Sequence, residues 1–166
     1  VELTPRAARM ITMKPLRLLL TLPLFLACSI AAANSFDWLM KQTEAPPGVV
    51  IEIIGERELL RTLLPEITGD IKKLRERFPG IPVAIVSHGA EQFLMTSANA
   101  SKATDTHELL QSLVKNDAVD FHVCGTHASW FDVMPEDFPD YVDVAPAAPA
   151  QIRHYEDLGY ELIVLP

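Results

Sequence analysis

The sequence predicts an α/β fold, a three-layer sandwich built on a mainly parallel five-stranded sheet. Short β-branched and apolar runs at 49–54, 82–87 and 118–123 are typical of buried strands. Segments with apolar residues at helical spacing separate these runs, and the longest of them extends from 59 to 78. Strands that alternate with helices form parallel sheets whose two faces are covered by the helices.

The first elements have recognisable ends. The first strand ends at Gly55 and the second at His88, and the long helix between them closes at residues 79–80, a Pro-Gly pair. Thr104 is predicted to cap the next helix. The apolar face expected for that helix is Leu109, Leu110, Leu113 and Val114.

The remaining elements complete the predicted sheet. After the third strand we expect a short helix near Ala128 and a proline-bounded loop at 135–139. A fourth strand is predicted at 141–144, a last helix at 146–158 and a fifth strand at 161–165. The chain contains no internal repeat and no low-complexity tract.

The N-terminal segment is typical of a secretory signal peptide. A short basic stretch that begins at Met13 precedes an apolar run at 18–30 and three alanines that end at Ala33. Export signals have this order of basic, apolar and small residues. We therefore expect cleavage after Ala33 and a periplasmic protein, with residues 1–12 an upstream extension.

Two other interpretations of this segment stay open. A lipoprotein signal ending at Cys28 would leave the protein lipid-anchored through that residue. An uncleaved membrane anchor would need about 20 apolar residues, more than the run provides. The predicted organisation is an upstream extension and signal peptide at 1–33, a short leader at 34–48 and the α/β domain at 49–166.

The charge of the chain excludes one class of partner. The whole chain has 14 Lys and Arg residues and 22 Asp and Glu residues. Residues 1–33 hold four of the basic residues and one acidic residue, so the remainder carries a net charge of −11. Such a surface repels phosphate backbones, and no basic patch with interleaved aromatic residues occurs. Nucleic acid is therefore not an expected partner.

The two cysteines of the chain, Cys28 and Cys124, differ in their expected fate. Export and cleavage would remove Cys28 and leave Cys124 as a lone cysteine in an oxidising compartment. Such a cysteine cannot form an internal disulfide. Cys124 is then either a small buried residue, as cysteines often are, or an accessible and reactive thiol.

Several chemically capable side chains fall at the carboxyl ends of predicted strands, where parallel α/β sheets bind ligands. His88 follows the second strand, and Cys124 and His127 follow the third. Gly125 permits close backbone approach, and Thr126 is predicted to cap a following helix. Cys124 would then lie beside free helix N–H groups, which stabilise a thiolate or persulfide anion.

The order of these features is similar to that of the DsrE/DsrF-like family, which includes sulfur-relay proteins related to TusD. The resemblance covers most of residues 49–166. It depends on a second strand that ends in His88-Gly89, a third that ends in Cys124-Gly125 with Thr126 behind it, the loop at 134–138, and the Gly159-Tyr160 turn into the last strand.

The resemblance implies that Cys124 accepts a sulfane sulfur as a persulfide and passes it to a partner, a sulfurtransferase-like activity. The partner would be a sulfur donor or acceptor protein or a small thiol, and no cofactor is expected. The resemblance also implies a homo-oligomer, a trimer or a hexamer. Cys124 would be the catalytic residue, and the supporting residues would be His88, Gly125, Thr126 and His127.

A metal site is the alternative. His122, Cys124 and His127 offer three ligands that suit zinc or copper, and alternation along the strand puts His122 and Cys124 on one sheet face. The protein would then be a non-catalytic module that binds a metal or a small ligand. The other two mature histidines in helices, His107 and His154, are predicted to be solvated.

Overall fold

The computed structural model of the protein describes residues 36–166. Residues 1–35, which hold the predicted signal peptide and Cys28, lie outside the described residues. Within 36–166 no helix combines the length and the apolar character that crossing a membrane requires.

Among the described residues, five strands form one sheet. Their bounds are Val49–Ile53 for β1, Val83–Ser87 for β2, Val119–Cys124 for β3, Asp143–Ala145 for β4 and Glu161–Leu165 for β5. The strand order is β4-β3-β2-β1-β5, and every neighbouring pair is parallel. The predicted α/β fold with a parallel five-stranded sheet is confirmed.

Helices connect the strands and cover the sheet. The α-helices of the described part are α1 (Phe36–Leu39), α2 (Leu59–Arg77), α3 (Thr104–Lys115), α4 (Gly125–Ser129) and α5 (Ala148–Asp157). Short 3₁₀ helices lie at Ala90–Met95, Ser97–Asn99 and Pro135–Asp137. The sequence pattern did not predict the two 3₁₀ helices after β2, because their apolar residues follow neither the helical nor the strand period over a sufficient length.

The side of the sheet that faces α2 and α3 forms the larger part of the core. Ile51, Ile53 and Ile85 point to this side and are fully buried. An apolar stripe from the two helices covers them, and its buried members are Leu60, Leu64, Ile67, Ile71, Leu74, Leu110 and Leu113. Each such aliphatic side chain contributes about 1.5–3 kcal/mol through its burial.

The opposite side of the sheet packs against α5. Val50 and Val86 alternate with the residues of the larger core and contact a smaller apolar cluster that includes Ile152 and Tyr155. Cys124 belongs to this smaller cluster. The sheet is therefore the middle of three layers, and the cysteine lies on its α5 side.

Helix α3 differs from its prediction in two ways. Thr104 is the first helical residue and not its cap, and its hydroxyl donates to Ala100 O at 3.2 Å. His107 is buried and not solvated, because the helix turns the face with Thr106, His107, Leu110 and Leu113 inward. Its Nε2 donates to Leu94 O at 3.0 Å, so Nδ1 accepts from the Tyr141 hydroxyl at 2.6 Å. His154 is exposed as predicted.

Candidate functional site

A pocket of about 340 Å³ opens at the carboxyl ends of the strands. It brings together four of the side chains that the sequence singled out, and the full lining is His88, Cys124, Thr126, His127, Trp130, Ala147 and Pro149. Strands β2 and β3 are neighbours in the sheet, so residues that follow their ends meet at one edge.

Cys124 ends β3 and at the same time caps α4. Its Sγ accepts a hydrogen bond from the backbone N–H of His127 at 3.4 Å and another from that of Ala148, the first residue of α5, at 3.5 Å. Its side chain is only 5% exposed, so the sulfur is buried rather than open at the protein surface. A reactant therefore reaches the sulfur through the pocket.

Thr126 does not cap the helix, contrary to its prediction. Cys124 occupies the cap position, and Thr126 is already the second residue of α4. Its hydroxyl donates to Pro146 O at 2.7 Å, and its backbone N–H donates to the same carbonyl at 3.1 Å. Thr126 thereby connects α4 to the loop that leads into α5. These are the two helices whose backbone N–H groups donate to the Cys124 sulfur.

Gly125 allows the chain to approach β4 closely. A Cβ atom at this position would lie 3.1 Å from Ala145 O and 3.2 Å from Val144 Cγ1. Both distances are shorter than ordinary van der Waals contacts, so a larger residue would push α4 away from β4. The close approach inferred from the sequence is thus made to the neighbouring strand.

Gln92 connects Cys124 and His127 of the pocket, and the sequence pattern did not predict its role. It lies in the 3₁₀ helix after β2 and is fully buried. Its Oε1 accepts from Cys124 N at 2.8 Å, and its Nε2 lies 3.0 Å from His127 Nδ1. A glutamine directly before the apolar run Phe93-Leu94-Met95 was the available signal, but its partners are more than 30 positions away.

The two contacts of His127 Nδ1 require opposite tautomers of the imidazole. Nδ1 lies 3.0 Å from the Gln92 amide nitrogen, a donor, and 2.8 Å from His88 O, an acceptor. A ring nitrogen carries either a proton or a lone pair, so a neutral His127 satisfies only one of these contacts at a time. The ring packs edge-on against Phe93 and Phe131, with centroids 5.4 and 5.3 Å away.

His88 has an acidic partner, Glu52, that the sequence pattern did not predict. Its Nε2 lies 2.7 Å from Glu52 Oε1, and both side chains are 17% exposed. Glu52 lies on β1 opposite Val86 of β2. A glutamate in an apolar strand could equally be solvated at the edge of the sheet. The sequence therefore does not distinguish the two cases, and the contact with His88 follows only from the pairing of β1 with β2.

His122 lies on the same sheet face as Cys124, as predicted, because it contacts Tyr155 of α5, but it does not line the pocket. The Tyr155 hydroxyl donates to Asp120 at 3.2 Å and accepts from His122 Nε2 at 2.9 Å. Burial lowers the pKa of His122, while Asp143 and Asp120 act in the opposite direction. Burial also raises the pKa of Tyr155, and Asp120 adds to that effect.

The three predicted metal ligands are not brought together. His122 is bonded to Tyr155 of α5, whereas His127 contacts Gln92 and the His88 loop. In the part of the chain that the structure describes, no group of three or more His, Cys, Asp or Glu side chains is placed to hold a metal ion.

The mouth of the pocket is apolar with acidic neighbours. Trp130, which lines the pocket, is 73% exposed, and the adjacent Phe131 is 59% exposed. Asp132 and Glu136 follow on the same segment and are exposed. Exposed aromatic side chains beside a pocket are typical of binding surfaces.

Comparison with solved structures supports the α/β fold. No protein-family model and no curated protein matches the sequence. The chain is similar to the structure of a protein of unknown function from Methanobacterium thermoautotrophicum, with a TM-score of 0.53 and 18% identity. The match covers 71% of this chain and 99% of that one. At this identity the similarity establishes the shared fold alone, a parallel α/β domain.

Proposed function

We propose that this protein binds or carries sulfane sulfur as a persulfide on Cys124, as an exported member of the DsrE/DsrF-like family. The observation that carries the proposal is the pair of backbone N–H groups, from His127 and Ala148, that donate to Sγ inside the pocket. These two hydrogen bonds fix the position of the sulfur inside the pocket, where a donor persulfide can reach it.

The reaction needs no oxidant or reductant. The Cys124 sulfur attacks the outer sulfur of a donor persulfide R–S–SH, the new S–S bond forms, and the S–S bond of the donor breaks. The donor sulfur leaves with the bonding electron pair and takes up a proton as R–SH. In the return step an acceptor thiolate attacks the terminal sulfur of the Cys124 persulfide, and Cys124 leaves as a thiolate.

The size and lining of the pocket support a small thiol persulfide or the tip of a partner side chain as the sulfur donor. About 340 Å³ is within the range of ligand pockets. Trp130, Ala147 and Pro149 form the apolar part of the lining, and a donor that packs against them would displace water from the reacting sulfur atoms.

Intact mass spectrometry tests the proposal. Protein purified without reductant and incubated with glutathione persulfide should gain the mass of one sulfur atom, and cyanide should release that atom as thiocyanate. Cys124→Ser should gain nothing, although the serine hydroxyl can still accept the two N–H groups. A wild-type protein whose Cys124 is alkylated by iodoacetamide yet never gains sulfur would overturn the proposal.

A small-ligand binding module is the second candidate, favoured by the apolar half of the pocket lining. In that case Cys124 and the two imidazoles of His88 and His127 would hold a ligand without sulfur transfer. Metal analysis of the purified protein tests the zinc or copper version of this alternative. A stoichiometric metal that is lost together from Cys124→Ser and His127→Ala would favour it over the carrier.

Two further parts of the proposal concern the cell and the assembly. The mature protein is proposed to be periplasmic, beginning near Asn34, and cell fractionation followed by N-terminal analysis checks this. A form that retains Cys28 with an attached lipid would favour the anchored alternative. The protein is also proposed to form a trimer or a hexamer, and light scattering of the mature chain would contradict this by giving the mass of a monomer.

A further inference from the structure

Glu52 interrupts the apolar strand β1, which lies between β2 and β5 in the sheet. Its neighbours Val50, Ile51 and Ile53 are fully buried, whereas Glu52 contacts the imidazole of His88 at 2.7 Å. Placing a half-buried carboxylate on a central strand costs desolvation free energy, and an ion pair rarely recovers more than that cost. Stability alone therefore does not account for a carboxylate at this position.

The carboxylate decides the tautomer of His88. An ionised carboxylate only accepts hydrogen bonds, so His88 Nε2 carries a proton and donates it to Glu52 Oε1. In the neutral ring the lone pair is then on Nδ1. The loop is held in place on both sides, since His88 N donates to Ile53 O at 3.1 Å and His88 O contacts His127 Nδ1 at 2.8 Å.

We propose that Glu52 is a positioning residue that holds His88 as the proton-transfer group of the pocket. The inference rests on the proposed function, because it assigns the path of the proton in sulfur transfer to Cys124. His88 and Cys124 line the same pocket, while Glu52 does not line it and acts only through His88. A carboxylate bonded to one ring nitrogen both orients an imidazole and stabilises the imidazolium.

In the proposed loading step, His88 Nδ1 takes the proton of the Cys124 thiol inside the pocket that both side chains line, while the sulfur attacks the outer sulfur of R–S–SH. The imidazolium, paired with the Glu52 carboxylate, then returns that proton to the departing donor sulfur. The products are the Cys124 persulfide and R–SH, and His88 ends in its starting state. One S–S bond forms and one breaks, without a net change of oxidation state.

His127 is less suited to this role than His88. Its Nδ1 is shared between the amide of Gln92 and the carbonyl of His88, two neutral groups that require opposite tautomers. Among the described residues no carboxylate is hydrogen-bonded to the imidazole of His127, whereas Glu52 is hydrogen-bonded to that of His88. His127 therefore supports Cys124 through its backbone N–H, and the two histidines of the pocket have different tasks.

The experiment measures the single-turnover rate at which Cys124 gains sulfur from glutathione persulfide, by mass spectrometry as a function of pH. His88→Ala is expected to lower the rate by about 100-fold, the lower end of general acid–base effects. Glu52→Gln keeps an oxygen that accepts from Nε2 but loses the charge, and a decrease of about tenfold is expected, as for other residues that orient a histidine. Glu52→Ala loses both the accepting oxygen and the charge, and its loading rate should approach that of His88→Ala.

The double variant separates positioning from a structural role. If Glu52 acts through His88, the Glu52→Gln change should have no further effect on the rate in the His88→Ala background. A merely structural loss would lower the rate in both backgrounds and would also lower the melting temperature. Glu56→Gln, which removes an exposed carboxylate just beyond the same strand, is the control and should load at the wild-type rate with the wild-type pH profile.

The outcomes separate the inference from the function. If the wild-type protein loads sulfur, and both Glu52→Gln and Glu52→Ala load at the wild-type rate at every pH, the role of Glu52 is overturned and the carrier function stands. If the wild-type protein gains no sulfur at all, both are overturned. A slowed Glu52→Gln variant with an altered pH profile, together with the absence of an effect in the double variant, supports the inference.

Discussion

The Sγ atom of Cys124 lies 3.5 Å from the backbone nitrogen of Ala148, so the residue that ends β3 accepts a hydrogen bond from the first residue of α5. The same sulfur accepts from His127 N in α4. One side chain therefore joins the starts of two helices that are separated along the chain by β4. This arrangement links the stability of the fold to the chemistry of the pocket.

The first prediction concerns the stability of variants at Cys124. Cys124→Ala removes the acceptor of both N–H groups and should lower the free energy of unfolding by about 1–2 kcal/mol, as the loss of a helix cap does. Cys124→Ser keeps an acceptor, and serine is a good capping residue. Urea unfolding of both variants measures the difference, and equal stabilities of Ala and Ser would contradict the capping role of the sulfur.

The second prediction concerns the buried amide of Gln92. Gln92→Leu keeps a similar volume but leaves Cys124 N–H without an acceptor in a buried environment. The free energy of unfolding should decrease by about 1–3 kcal/mol. Gln111→Leu on α3, a partly exposed position, is the control, and a change within about 0.5 kcal/mol is expected there. A Gln92→Leu protein as stable as this control would show that the amide is dispensable.

The third prediction is a pH dependence that arises from His122. Burial places the folded pKa of His122 below its ordinary value of 6.5, so the unfolded chain binds the proton first as the pH falls. The stability contribution of neutral His122 is complete above pH 6.5 and is lost as the pH falls through the folded pKa. Urea unfolding between about pH 8 and about pH 5 should show this decrease.

Two variants isolate the contribution of His122. His122→Gln should have a weaker dependence of stability on pH in this range than the wild-type protein, because the shifted group is gone. His154→Gln, at an exposed position of α5, should keep the wild-type dependence. Parallel curves for the wild-type protein and His122→Gln would contradict the assignment.

The fourth prediction compares two glycines. A Cβ atom at Gly89 would lie 2.5 Å from Gly55 N and 2.8 Å from Gly55 O, and the backbone cannot move aside as a side chain can. Gly89→Ala should destabilise the protein by about 1–3 kcal/mol and displace the loop that carries His88. Gly69→Ala on α2 meets no atom within 4 Å and should stabilise the helix by about 0.5–1 kcal/mol.

The same pair of variants tests whether the loop after β2 belongs to the site. Gly89→Ala should slow sulfur loading of Cys124 because His88 moves, and Gly69→Ala should load normally. Thermal unfolding and the loading rate are measured on the same samples. If a destabilised Gly89→Ala protein gains sulfur at the wild-type rate, the loop after β2 does not contribute to sulfur loading.

The sequence by itself determined the class of fold and the place of the cysteine. The β-branched runs that became β1, β2 and β3 lie within two residues of their predicted bounds, since burial on both faces of a parallel strand requires continuous apolar residues. Cys124 was placed at a strand end for the same local reason. The spacing of apolar residues along the chain indicates which residues are buried, whatever the order of the strands in the sheet.

Only the tertiary structure decided what surrounds the sulfur. Glu52 and His88 are 36 positions apart, and Gln92 and Cys124 are 32 apart. They meet because β1, β2 and β3 are neighbours in the sheet. Thr126 was predicted as a cap from its residue type, but the helix begins earlier, at Gly125. Strand order, helix starts and hydrogen-bond partners depend on long-range packing, and no local pattern of residues encodes them.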